Sequence, residues 1–347
     1  SHLLTPFLAL FVSLLSLAHA LPPLAFDVGG EFPSPVGWAF DPDSGSLDHE
    51  LGEARLLLRN SRVLGVSGAL DGGPEGAEAL VSLTVAVAGG GDDLARALEH
   101  HLGQEAVPAF TRIENAVLTL REEEGWVVFD FALIELAEGD FRGSRHVLNP
   151  AGVVPVRVYG DLSVAGAAEF VLSGLSGLEA RAEELGVRVE YHHAPAAPTG
   201  PGALAAEASE CVAAANPQGG FWAFLELLAR ERVAWASVVS PQAYFVQAAD
   251  SLGLGAPGLS SCIEERLAQR EVSLARESAI NLGFSERPTV FVGGFLMLDS
   301  WDSAELERLV ALAAPSGAGA AGEVVPLSLA AESGEAPAGD GVDSTAD

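Results

Sequence analysis

The feature that most restricts the fold is a strand–helix–strand run in the middle of the chain. VVPVRVYG (153–160) is apolar and β-branched, and EFVLSGLSGLEARAEELG (169–186) is helix-like and closes on glycine. VRVEYHHAP (187–195) is strand-like again. A crossover of this length between strands of one sheet is right-handed and leaves them parallel. The reading is therefore an α/β unit, with the strand end and helix start meeting at Asp161-Leu162-Ser163-Val164-Ala165-Gly166-Ala167.

The patterns on either side differ. Upstream, RLLLRN, RVLGVSGAL and ALVSLTVAVA read as strands, DDLARALEHHLG as a helix, and AVLTLREEEGWVVFDFALIEL as a hairpin turning at Glu-Glu-Glu-Gly. Residues 21–50, rich in Pro, Gly and Asp, read as loops with one short strand. Together these give an α+β region built mainly on antiparallel sheet over 21–150, with a boundary at Asn149-Pro150-Ala151-Gly152. Downstream, helices are expected at ALAAEASECVAAA, GFWAFLELLARER, SPQAYFVQAADSLG and SSCIEERLAQREVSLARESAINLG. RPTVFVGGFLML reads as a strand pair around Gly-Gly, and SAELERLVALAA as a closing helix, so the second region spans 151–314. From Pro315 to Asp347 the chain is small, acidic and low in complexity, and is expected to be a disordered tail.

Charge narrows the partners. The 347 residues carry a formal charge of -30, and all 18 basic residues are Arg. Acids outnumber Arg 22 to 8 over 1–150 and 26 to 10 over 151–347, so the excess is not confined to a tail. Without a basic stripe, phosphate neutralisation and hence nucleic-acid binding are not expected. LLTPFLALFVSLLSLAHA (3–20) is a short apolar block ending in Ala-His-Ala, the pattern of a secretory signal cleaved before Leu21. An uncleaved anchor is the alternative; no later segment is long and apolar enough to span a bilayer. The expected location is periplasmic or secreted, anchored if the signal stays in place. There the two cysteines, Cys211 and Cys262, are expected to be bridged, which the loop-entropy model values at about 4 kcal/mol.

The second region resembles the DsbA-like exported thiol-disulfide oxidoreductases, a thioredoxin fold with a helical insertion. The resemblance covers 153–314 and rests on features in order. Asp161 ends the first strand, and Val164, Ala167 and Phe170 follow where the family has Cys, Cys and an aromatic. AAEASECVAAANPQGGFWAFLELL resembles the inserted helices, Cys262 falls where some members carry a structural disulfide partner, and Arg287-Pro288-Thr289 stands at the family's cis-proline. The resemblance implies a fold and a peptide site centred on Pro288, with Arg287, Leu162 and Ser163 around it.

Its chemistry does not transfer. Disulfide exchange needs an activated thiolate and a resolving thiol, and neither Val164 nor Ala167 offers sulfur. Ser163, without an identifiable base, reads as a helix N-cap. No catalytic residue, cofactor or metal site is assigned. The resulting expectation is a redox-inactive module that binds an extended peptide or envelope protein by strand addition. Two alternatives remain: an oxidoreductase working through Cys211 and Cys262 or a partner's thiol, and a calcium- or metal-linked envelope protein. The second draws on the Asp-rich turn Asp41–Asp48 and on His192 and His193, which as neighbours on a strand face opposite ways. His100 and His101 read as solvated helix surface. The sequence does not reveal the oligomeric state.

Overall fold

The computed structural model describes residues 35, 37–41, 44–60, 62–88, 92–103, 109–113, 115–217, 219–283 and 288–315. The segment expected to be a signal (1–20), Asp43, Arg287 and the stretch from 316 onward lie outside the described residues.

The first half contains β1 (Ala39–Asp41), β2 (Ser46–His49), β3 (Gly52–Arg59), β4 (Arg62–Asp71), α1 (Pro74–Ala88), α2 (Asp92–Leu102), β5 (Phe110–Ile113), β6 (Ala116–Glu123) and β7 (Trp126–Leu133). The strands form one antiparallel sheet in the order β1-β2-β3-β4-β7-β6-β5. Paired positions put Leu56, Val66, Phe131 and Leu118 in one row across it, and all four are buried. The β6–β7 hairpin turns where expected, with Glu124 and Gly125 both at positive φ.

Two expectations fail in this half. ALVSLTVAVA is not a strand but most of α1. Its alternation is overridden by a helical period, with Gly76, Leu80, Leu83, Thr84 and Val87 buried on one face and Pro74 at the helix start. Residues 39–49 hold two short strands, β1 and β2, rather than one.

The second half contains β8 (His146–Leu148), β9 (Val154–Gly160), α3 (Ala165–Glu169), α4 (Leu175–Leu185), β10 (Val187–His193), α5 (Pro201–Ala215), α6 (Gly220–Arg230), α7 (Arg232–Trp235), α8 (Gln242–Ser251), α9 (Leu259–Glu264), α10 (Gln269–Asn281), β11 (Thr289–Val292), β12 (Phe295–Met297) and α11 (Ser303–Ala313). Its sheet runs β12-β11-β9-β10-β8. β9 and β10 are parallel as the crossover requires, and β11 and β12 are antiparallel. Edge strand β8 was not anticipated. It pairs antiparallel with β10, so the Asn149–Gly152 stretch is the turn between β8 and β9 within this sheet.

A π-helical turn, Phe170–Gly174, joins α3 to α4. A Cβ on Gly174 would lie 2.6 Å from the Phe170 ring, so glycine is what lets that ring sit in the core. The long helix expected after Ser260 is instead two, α9 and α10, interrupted at Arg266 with φ 55°. The break is offset by an ion pair: Arg266 reaches the buried carboxylate of Glu207 on α5 through two hydrogen bonds of 2.8 and 2.6 Å.

The two sheets touch along β12. Glu135, just beyond β7, bridges to Phe295, and Leu136 N donates to Gly294 O at 2.9 Å. Arg59 grips Glu135 through two 2.7 Å bonds and lies over the Phe295 ring. The Asn60 amide donates to Ala311 O and Ala314 O, closing the end of α11.

Candidate functional site

The site begins where β9 ends. Asp161 is buried, and its carboxylate accepts from Ser163 N (2.8 Å), Ser163 Oγ (2.6 Å) and Ala196 N (2.9 Å). These bonds fold the chain sharply into α3. Ser163 is therefore not the N-cap: Val164 holds that position without a side-chain cap, and the serine hydroxyl is turned onto Asp161. The Ser163 carbonyl accepts from Arg232 Nη1 at 3.0 Å, tying the inserted helices to the turn.

The residues singled out from sequence separate by depth. Leu162 and Ala167 are buried, Ser163 and Val164 are half-buried, and Ala165 and Gly166 are exposed. A Cβ on Gly166 would sit 3.7 Å from Pro288 Cδ, so the turn and the proline stand face to face. Pro288 is half-buried, and its carbonyl accepts from Ser300 Oγ at 2.9 Å. Arg287, and with it the peptide bond leading into Pro288, is outside the described residues.

Beside Ser300 stands Trp301, half exposed at 51%, its ring edge-on to Phe170 with centroids 5.1 Å apart. The loop presenting it is held from below. Buried Glu305 accepts from Leu298 N and Asp299 N at 2.8 and 3.0 Å, and Asp299 accepts from Trp301 N at 3.0 Å. Burial pushes the Glu305 carboxyl above its ordinary range. Sequence reading missed Arg232 and Ser300, because each acts through a tertiary contact with no local signature.

The cysteines are elsewhere. Cys211 on α5 is bonded to Cys262 on α9, with Cα atoms 5.9 Å apart, and Cys211 is buried. Gly202 of α5 abuts Asp161; Cys211 lies nine residues further along that helix, about 13 Å at 1.5 Å per residue.

The centre of the sheet holds unexpected charge. Arg157 and Glu190 are fully buried cross-strand partners, joined Nε to Oε2 at 3.0 Å. Arg157 also donates to Gly293 O (2.6 Å) and to Glu138, and lies over the Phe141 ring at 4.1 Å. Burial raises the Glu190 carboxyl, but contacts from His192 and Arg188 and the charge of Arg157 more than offset this and hold it at about 2. His192 stacks on Tyr159 on this face. His193 points the other way, toward Glu210, so the two histidines do not converge. Among the described residues no three His, Cys, Asp or Glu side chains are grouped to hold a metal. At the Asp-rich turn, Asp41 accepts from Ser44 Oγ. His101 is not simply solvated: it shares a 2.6 Å hydrogen bond with Thr111 Oγ1 of β5.

The strand order decides the architecture: two parallel strands joined through a helix, then two antiparallel strands, with helices inserted between β10 and β11. This is the strand order of a thioredoxin fold, with the helical insertion that the resemblance to DsbA-like proteins implies. Among solved structures, BdbD from Bacillus subtilis (oxidised) is similar at 18% identity and a TM-score of 0.44, covering 51% of this chain and 94% of that one. MdbA, a thiol-disulfide oxidoreductase from Corynebacterium diphtheriae, is similar at 21% and 0.40, covering 51% and 95%. A thioredoxin-like oxidoreductase from Silicibacter pomeroyi DSS-3 is similar at 22% and 0.40, covering 50% and 96%. No family model matches the chain, and no curated protein matches it. Among the described residues no helix is long and apolar enough to cross a membrane.

Proposed function

We propose that this chain is an exported, redox-inactive thioredoxin-fold protein that binds extended polypeptide segments, free or within envelope proteins, at the α3 turn. One observation carries the reading: the turn faces Pro288, a Cβ on Gly166 coming to 3.7 Å of the proline ring, yet offers Val164 and Ala167 rather than sulfur. Thiol exchange at that turn has no nucleophile. Much of the polar backbone is engaged internally, with Ser163 N on Asp161, Ser163 O on Arg232 and Pro288 O on Ser300. What faces outward is apolar: Val164, Ala165, Gly166, the Pro288 ring and Trp301. Recognition therefore runs through apolar side chains of the bound segment more than through strand addition; Arg287, next to Pro288 in sequence, lies outside the described residues.

The rival, exchange through Cys211 and Cys262, requires an accessible, labile pair. Burial of Cys211 in the α5–α9 contact argues against it.

The test is titration of a peptide library, read by calorimetry, against the full chain and its Trp301→Ala and Gly166→Arg variants. Binding should weaken about tenfold in each, corresponding to roughly 1.4 kcal/mol. Unchanged affinity in both, with folding intact, removes the site. An insulin-reduction assay settles the rival, because activity that vanishes in Cys211→Ala would install it instead.

A further inference from the structure

Away from the turn, four side chains from four segments meet on the outer side of β10. Tyr191 and His193 alternate onto one face of that strand, and register places His146 of β8 opposite Tyr191. Glu210 of α5 comes down onto this group. A single oxygen of it, Oε1, lies 3.0 Å from His146 Nε2, 3.6 Å from His193 Nε2 and 2.5 Å from the Ser144 hydroxyl, which donates to it. His146 is stacked on Phe221 of α6, with centroids 3.4 Å apart. His193 is 2% exposed and its Nε2 has no hydrogen-bond partner among the described residues.

We propose that Ser144, His146, His193 and Glu210 form an acid-released latch that holds β8 and the segment before it against α5. Two imidazoles share one carboxylate in a space closed by aromatic rings. With His193 neutral, the carboxylate holds Ser144 and His146, and β8 stays seated. Adding a proton to His193 places a buried cation beside His146, with the one carboxylate already engaged by Ser144 and His146. The groups acting electrostatically on His193 are Glu210 from α5, His146 from β8 and His192 on its own strand; Tyr191 of the same strand and Phe221 of α6 pack their rings edge-on against it.

The strain falls on the weakest part of the sheet. β8 has three residues, pairs along one edge only, and is followed by a turn held by the Asn149 amide on Val187 O. The segment before it is the one linking the two sheets. It is fixed through Arg142 N on Ser278 Oγ and through Arg145, whose guanidinium pairs with Glu138 and lies near Glu190. Opening β8 therefore loosens the connection between the halves.

Burial, with repulsion from His146 and His192 and against the pull of Glu210, holds the His193 imidazolium down at about 4, below the ordinary 6.5. Because the open form takes the proton more readily, closure is fully favoured above pH 6.5 and weakens as pH falls toward 4. Between pH 7.5 and 5 the opening constant should rise about 30-fold.

The test is amide exchange on the full chain at Val147, Leu148 and Val189–Tyr191, corrected for intrinsic rates, from pH 7.5 to 5. Core amides of β4 and β7 serve as references. Protection of the β8 pair should fall about 30-fold while the references hold, and His193→Gln should flatten the response. Glu210→Gln gives a second check, opening β8 already at pH 7.5. A fall that persists unchanged in His193→Gln, or a uniform loss across both sheets, overturns the latch.

Discussion

Replacing Arg157 tests a fully buried charge pair at the centre of the second sheet. The guanidinium is 1% exposed and makes three hydrogen bonds, to Glu190, Gly293 O and Glu138, besides its contact with Phe141. Arg157→Met keeps length and apolar packing but leaves Glu190, at 0% exposure, with Arg188 as its nearest remaining hydrogen-bonded cation at 2.7 Å. Breaking one partner of a buried pair costs about 3–5 kcal/mol, most of it the penalty on the stranded charge. The retained Arg188 contact places the expected loss near 3 kcal/mol. Arg157→Met with Glu190→Leu removes both charges and should recover much of that loss. Urea denaturation of the wild type, both single variants and the double variant, followed by fluorescence and far-UV circular dichroism, closes the cycle. The pH dependence supplies an independent sign. With its carboxyl held near 2, Glu190 contributes stability above the unfolded value of about 4.3, lost as pH falls through 2. Arg157→Met should raise that acid limb toward neutrality. A loss below 1 kcal/mol, or singles that simply add in the double, would refute the account of a coupled buried pair.

Three further outcomes follow from particular contacts. Cys211→Ala with Cys262→Ala should cost about 2–5 kcal/mol in denaturation while leaving peptide binding intact; parallel loss of binding would tie the bridge to the site. Gly174→Ala drives a Cβ to within 2.6–2.9 Å of the Phe170 ring. It should destabilise by about 1–3 kcal/mol and change the near-ultraviolet dichroism through Trp301; no effect would mean the π-turn absorbs the methyl. With a charge of -30, the melting temperature should rise by several degrees as sodium chloride goes from about 0.1 to 1 M, where the Debye length shrinks from ~10 to ~3 Å. A flat response would show that the acids are already too far apart to repel.

The parallel β9–β10 pair could be read from sequence because apolar β-branched strands flank a helix that closes on Gly186, and handedness supplied the rest. α1 could not. Ala79–Ala88 alternates well enough to pass for a strand, and only burial of Gly76, Leu80, Leu83 and Val87 along one face reveals the helical period. Arg266 was invisible for a different reason: nothing local marks a left-handed arginine, whose cost is met by Glu207 59 residues away. The turn's lack of sulfur was legible, since neither Val164 nor Ala167 is a cysteine. Its surroundings were not, because Trp301 and Arg232 reach it only through the fold. One signal was available and passed over. Arg157 interrupts the otherwise apolar β9, Glu190 lies between Val189 and Tyr191 on β10, and opposite charges at matching depth in neighbouring strands imply a cross-strand pair.

Where the polar groups sit bears on what the fold has been shaped to do. At the α3 turn, Asp161, Arg232 and Ser300 each engage a donor or acceptor that would otherwise face the solvent, leaving apolar surface. On β10 the opposite holds: Glu190 is buried against Arg157 of β9 and Arg188 of its own strand, with His192 beside it, and on the other face His193 is buried near Glu210 of α5. The same cluster reaches the segment between the sheets through Glu138 on Arg157, Arg145 near Glu190, and Ser144 and His146 on Glu210. Desolvating so many charges gains little net stability over apolar packing, but it does fix geometry strongly, because each misplaced charge would stand unpaired. The polar investment thus secures how the first half is joined to the thioredoxin fold, while the turn is left apolar. That division is what a binding surface held in fixed relation to a second element requires. It predicts that Glu210→Gln, which disturbs the join without touching the turn, changes protection along β8 while leaving peptide affinity for the isolated site unchanged. If affinity falls with it, the join and the turn form one site.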